Sequence, residues 1–167
     1  MKCTTLALAC CVIAALARHA AAADAEPLGF DVNVTLSPRA AAALQKTKEG
    51  ITVSARYYGD PTPAAAKHAN EVGQIDLGGE ELRLPARGGP ARVTGQGVKT
   101  YRLHWTRGAP KVNVNAFSSR LSHADNILSC DLIDGDVAQA VKAQPVELHC
   151  ALITEGRDPV LQPQVGR

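Results

Sequence analysis

The side chains that could do chemistry are spread unevenly along this chain of 167 residues. Residues 82–124 hold eight bases (Arg83, Arg87, Arg92, Lys99, Arg102, Arg107, Lys111, Arg120) and no acid, whereas the segments 24–81 and 125–167 are each acidic by four charges. Such a stretch has two readings. It forms an anion-binding face centred on Arg102, Arg107 and the rim of Trp105, or its bases pair across strands with acids from the flanks. The formal charge of +2 resides in Lys2 and Arg18. Without them, bases and acids balance, which favours the pairing reading. The same balance argues against a nucleic-acid or anionic-membrane binder.

Beyond residue 23 the imidazoles are His68, His104, His123 and His149. His104 and His149 both read as outward positions of strands and would meet if those strands were neighbours. No His-x-His or His-x-x-x-His spacing occurs, and the sole methionine is Met1, so no thioether copper site is available. Neither a metal nor a cofactor is expected. Ser122-His123-Ala124-Asp125 holds the letters of a catalytic triad, but triads are assembled from distant segments. A GxSxG elbow is absent, and no catalytic residue is assigned. Gly95-Gln96-Gly97 is a turn and not a phosphate loop, because no helix follows it. Tyr57 and Tyr58 adjoin Gly59-Asp60-Pro61 at a strand end. Adjacent strand residues face opposite ways, so one tyrosine is expected at the surface, where it suits contact with a protein or a glycan.

Positioning begins with what is removed. Met1-Lys2, the apolar run Leu6–Leu16 and the small residues Ala21-Ala22-Ala23 form a secretory signal peptide, residues 1–23. The run is too short to span a bilayer comfortably, and no other stretch approaches that length. A lipoprotein reading, with Cys10 or Cys11 acylated, fits poorly. Cys3, Cys10 and Cys11 leave with the signal, so Cys130 and Cys150 remain. In an exported chain they have a single connectivity. The alanine-rich, lysine-poor composition points to a bacterial source and hence to the periplasm.

Residues 24–155 read as one domain. Phe30–Leu36 alternates as a half-buried strand. Ser37-Pro38 is an N-cap with proline at the first helical position, and the alanine-rich helix it opens runs to Lys48 before Gly50. Ile51–Tyr58 alternates again, and Thr62-Pro63 repeats the cap for one or two helical turns. Short strands follow at Gln74–Leu77, Glu81–Leu84 and Ala91–Thr94. Val98–Trp105 reads as a strand with Tyr101, Leu103 and Trp105 on one face and Arg102 and His104 on the other. Val112 and Val114 begin another. Leu128, Cys130 and Leu132 share one face, and Val146, Leu148, Cys150 and Leu152 share another. Asp134-Gly135-Asp136 reads as a turn before one or two helical turns. Residues 156–167, with no periodicity and two prolines, read as a disordered tail.

Short strands with Gly/Pro turns at this spacing predict a mainly β fold, an antiparallel β-sandwich of immunoglobulin-like or transthyretin-like type. One to three short helices and one disulfide are expected with it. From Val32 to Pro85, the order VNVTLSP, alanine-rich helix, ITVSARYYGDPTP and a short strand ending in LP resembles the periplasmic β-domain attached to apocytochrome-handling proteins of c-type cytochrome maturation. The resemblance implies a small sandwich that binds proteins. It spans about a third of the chain, and the cysteine pair lies beyond it.

These observations lead to an exported, non-enzymatic binding module for a protein or envelope component. Its candidate surface is Arg102, His104, Trp105, Arg107, Tyr57 and Tyr58. The alternatives are a periplasmic hydrolase with a loop-built site and a metal-handling protein.

Overall fold

The computed structural model describes residues 28–163. The signal-peptide reading falls on residues outside this range. The fold is mainly β, a sandwich of two sheets. One has four strands in the order β4 (Gly89–Val93), β1 (Phe30–Leu36), β8 (Val146–Leu152), β6 (Leu128–Cys130). The other has five, in the order β3 (Ile75–Leu84), β2 (Ile51–Pro61), β5 (Thr106–Ser118), β7 (Leu132–Asp136), β9 (Leu161–Gln162). Most neighbours are antiparallel, as expected, but β1–β8 and β7–β9 run parallel. Among the described residues no helix is long and apolar enough to cross a membrane.

The period-two pattern builds the core. Phe30, Val32 and Val34 of β1 and Val146, Leu148 and Cys150 of β8 face Ile51, Val53, Ala55 and Tyr57 of β2 and Val112 and Val114 of β5. Each of these side chains is withdrawn from water, and this burial is the main stabilising term. Helix α1 (Pro38–Thr47) lends Ala40 and Leu44 to the same core, and α2 (Val137–Ala143) lends Val137 and Ala140. Ser37 caps α1 by accepting from the Ala40 amide at 3.0 Å. The left-handed residue that ends α1 is Lys48 (φ 55°), two residues before the glycine marked for that role. Its N–H still satisfies the last-turn carbonyls of Gln45 and Leu44.

Cys130 and Cys150 are directly opposed on β6 and β8, with Cα atoms 4.0 Å apart, and are joined by a disulfide. Their bond lies within one sheet. The 20-residue separation it closes leaves that sheet after Cys130, passes through β7 and α2 on the other side, and returns along β8. In the chain-entropy account such a closure contributes about 3 kcal/mol.

Four local readings are corrected. Residues Thr100–Trp105 form a 3-10 helix, not a strand. Thr106 closes it by donating its hydroxyl to the Leu103 carbonyl at 2.8 Å. In a 3-10 helix residues three apart are eclipsed, so Arg102 and Trp105 share a side, which alternation had separated. Asp134-Gly135-Asp136 is not a turn but the end of β7, paired with Lys111–Asn113 of β5. The run read as one strand from 127 to 132 is broken at Asp131, where the chain changes sheets.

Asp131 also explains the fourth correction, over residues 156–163. Its buried carboxylate accepts from Arg157 Nη2 at 2.7 Å, the Val160 amide at 2.9 Å and the His149 amide at 3.1 Å. That anchor places Leu161–Gln162 beside β7 as an edge strand. Periodicity cannot register a segment held through a single buried acid.

Candidate functional site

The outward residues of the five-stranded sheet are polar: Arg56 and Tyr58 on β2, Asn113 and Asn115 on β5, Asp134 on β7 and Asp76 on β3. A concavity of about 270 Å³ opens among them, lined by Arg56, Tyr57, Tyr58, Asn70, Gln74, Asp76, Asn113 and Asp134. Its cause is local. Register slips on both sides of Tyr58: the β3 partner steps from Gly78 to Asp76, and the β5 partner steps from Lys111 to Arg107 across Gly108-Ala109-Pro110. Such bulges bend a strand and re-aim its side chains. Gly78 has φ +92°, and a Cβ there would strike the Gly97 carbonyl, so this bend requires glycine.

The charges around the concavity are largely satisfied. Asp76 accepts from the Gly78 amide at 3.0 Å, Lys99 at 3.1 Å and Arg102 at 3.2 Å. Burial raises its pKa, but the Gly78 N–H and the two cations outweigh that and hold the carboxyl below the usual range. Asp134 accepts from the Tyr58 hydroxyl at 2.6 Å. Burial, that hydrogen bond and the charges of Asp134, Asp60 and Asp136 push the Tyr58 phenol up to about 12. Arg56 lies 3.4 Å from Glu81. Lys111 lies 2.9 Å from Asp60, and its hydrogen bond and charge, with Arg107 nearby, lower that carboxyl.

The amides differ. Asn70 is fixed, since its Oδ1 accepts from the Val72 and Gln74 amides at 3.1 and 2.9 Å. That orientation leaves Nδ2 as its remaining donor pair. Asn113 Oδ1 accepts from Asn115 Nδ2. No protein group bonds Asn113 Nδ2 or the Gln74 carboxamide among the described residues.

The expected surface residues divide. Tyr58 lines the concavity. Arg102 stands behind it, donating to the carbonyl and carboxylate of Asp76. Its Nε is buried without a partner among the described residues. Tyr57 is also among the lining residues, but its side chain belongs to the core. It is 1 % exposed, its hydroxyl donates to the Leu28 carbonyl at 2.7 Å, and its pKa is raised by burial first and the Glu80 charge second. Of the two tyrosines, then, the surface one is Tyr58. Trp105 stacks on His68 with centroids 4.3 Å apart and planes 8° from parallel, and His104 meets its edge at 5.5 Å. Arg102 lies 5.8 Å from the Trp105 ring centre, within cation–π range. Arg107 is exposed on β5 opposite Asp60.

The basic stretch is substantially paired. Arg92, Lys99, Arg102 and Lys111 contact Asp31, Asp76, Asp76 and Asp60. His104 and His149 do not meet; His149 Nδ1 lies 3.0 Å from Thr35 Oγ1 on the other sheet. Among the described residues no group of three or more His, Cys, Asp or Glu gathers as metal ligands do. Ser122 Oγ donates to Glu49 Oε2 at 2.8 Å and lies 3.0 Å from His123 Nδ1. A triad places histidine between serine and acid, using both ring nitrogens; here the serine stands between the other two. Glu49 instead fastens the loop by accepting from the Gly50, Leu121 and Ser122 amides. Burial raises its pKa, but these bonds outweigh it and bring the carboxyl to about 2.

Arg56, Asn70, Gln74, Asp76, Asn113 and Asp134 were not singled out in the sequence. The readable signal was the outward set of β2 and β5, where Arg56-x-Tyr58 and Asn113-x-Asn115 carry long or amide side chains. Comparison with protein-family models, characterised proteins and solved structures finds no match.

Proposed function

We propose that this protein is an exported, non-enzymatic binding module of the cell envelope whose recognition surface is the outer face of the five-stranded sheet. The observation that carries the reading is the concavity at the Tyr58 bulges, where Asn113 Nδ2 and the Gln74 carboxamide have no protein partner among the described residues. Tyr58 and Asn113 stand on strands, and the 69–74 loop that carries Gln74 is closed by Asn70 Oδ1, which accepts from the Val72 and Gln74 amides; a site held in this way lowers the ordering cost of binding. A disulfide on the apolar side of a sheet supports an oxidising compartment, and with the alanine-rich leader it supports the periplasm. The partner class is a protein or another envelope component.

Site-specific photo-crosslinking in the producing cell tests this. A crosslinker at Asn115, exposed on the five-stranded face, is expected to give discrete adducts competed by excess unlabelled protein. The same group at Glu147, exposed on the other sheet, is expected to give none. Identical patterns from both positions would remove the assignment of the face.

A further inference from the structure

The chemistry left unsatisfied in the concavity narrows the ligand class. We infer that the hollow bounded by Arg56, Tyr58, Gln74, Asn113 and Asp134 binds an uncharged carbohydrate of the envelope. This rests on the binding-module reading above and specifies its ligand.

Charge counts against ionic ligands. An anion entering the hollow meets the carboxylates of Asp76 and Asp134, while the nearest bases are engaged: Arg56 with Glu81, and Lys99 and Arg102 with Asp76. A cation meets the Arg56 guanidinium beside carboxylates that already accept from Lys99, Arg102 and Tyr58. These pairs are at least partly solvent-exposed, and exchanging one partner for another of the same charge at such a site adds little. A ligand that hydrogen-bonds without charge displaces none of these pairs.

Topology argues against an extended peptide. Peptides that join a sheet use an unpaired edge and set alternate side chains into pockets. Here β2 lies between β3 and β5, and β5 lies between β2 and β7. β2 and β5 therefore have both ladders filled; β3, which brings Asp76, is an edge strand, but there Leu77 already accepts from the Lys99 amide and Gly78 bridges to Val98, and the lining offers no aliphatic side chain to hold an apolar one.

The groups that remain suit hydroxyls. The Gln74 carboxamide offers a donor and an acceptor in one plane, and Asn70 Nδ2 and Asn113 Nδ2 add donors. Vicinal hydroxyls of a pyranose present the matching donor and acceptor at fixed spacing. The Tyr58 ring is the aromatic surface available to the C–H side of a sugar. A cavity near 270 Å³ is at the small end of ligand sites, which fits a ring or two of a longer glycan lying across the open sheet.

The test is a titration of ¹⁵N-labelled protein with chitohexaose and maltohexaose, two uncharged hexasaccharides, each to about 5 mM. Heparin serves as an anionic comparison. At least one neutral sugar is expected to shift the side-chain amides of Gln74 and Asn113 and the backbone amides of β2 and β5 around Tyr58. N113A and Q74A are expected to weaken that binding by roughly tenfold with the thermal midpoint unchanged. Silence with both neutral sugars, shifts confined to other surfaces, or a response to heparin alone overturns the inference. Silent titrations beside positive crosslinking from Asn115 refute the carbohydrate and leave the face as a binding surface. Silence in both experiments removes both readings.

Discussion

Both sheets carry polar residues outward, and they use them differently. On the four-stranded sheet the outward side chains satisfy one another across strands. Asp31 pairs with Arg92 at 3.1 Å, Asn33 Nδ2 donates to Glu147 at 2.9 Å, and Thr35 lies 3.0 Å from His149. Gln144 fills in by accepting from the Asp31 amide and from Arg92. On the five-stranded sheet Arg56, Lys99, Arg102 and Lys111 are paired, but Asn113 Nδ2 and the Gln74 carboxamide have no protein partner among the described residues, and the bulges there open a hollow. Closed ladders of cross-strand pairs add stability in small increments. Donors without a protein partner above a bent strand add none, and it is on these that the proposed binding face rests.

That contrast sorts the expected effects of mutation. The largest belongs to the cysteine pair of the four-stranded sheet. C130A/C150A is expected to lose about 3 kcal/mol in urea unfolding, while the arrangement of Tyr58, Gln74 and Asn113 persists in the surviving native fraction. Loss of the native amide spectrum around Tyr58 under conditions where the variant is still folded would break the separation.

The phenol of Tyr58 gives a pH signature to the other sheet. Its folded pKa of about 12 lies above the ordinary tyrosine value of 10.0. The associated stability is therefore fully present below pH 10 and is lost as pH rises through 12. Absorbance titration at alkaline pH checks this, and Y58F is expected to flatten the stability change across the same window. An unchanged profile in Y58F would mean that Asp134 does not hold the phenol as described.

Smaller effects separate the faces most sharply. A double-mutant cycle of N33A and E147A is expected to show a coupling of about 0.5 kcal/mol. N113A and Q74A are expected to stay within roughly 0.5 kcal/mol of the parent. If N113A destabilises more than N33A, the two faces do not differ in the way argued.

The sandwich was readable because its strands follow the simplest rule available, one side apolar and the other polar. Phe30-x-Val32-x-Val34 and Ile51-x-Val53-x-Ala55 are buried in the alternation they display. The Ser37-Pro38 cap was equally plain. What escaped depends on partners remote in sequence. Thr100–Trp105 alternates over too few residues to separate a strand from a 3-10 turn. Asp131 reaches Arg157 and Val160, and no local pattern announces a buried acid with distant donors. The hollow was half visible: Tyr58 was marked, but Asp76, Asn113 and Asp134 join it only through strand order and bulges. Arg102 was marked as a contact residue, whereas its hydrogen bonds go to Asp76, whose carboxylate lines the hollow. Trp105 and His104 belong to a neighbouring aromatic cluster with His68, where each has a ring partner.

The ring closed by Cys130 and Cys150 crosses from one layer to the other and back, and this gives it a mechanical meaning. A chain pulled from its two ends transmits load through the sulfur–sulfur bond, so the residues between the cysteines are shielded from tension. Extended at about 3.4 Å per residue, the enclosed 20-residue separation corresponds to roughly 70 Å of hidden length. Single-molecule stretching should therefore end about that much shorter for the oxidised protein than for the reduced one. A protease cut inside the ring would likewise leave the two pieces in one covalent molecule, so a nick there would pass unseen on a gel run without reductant.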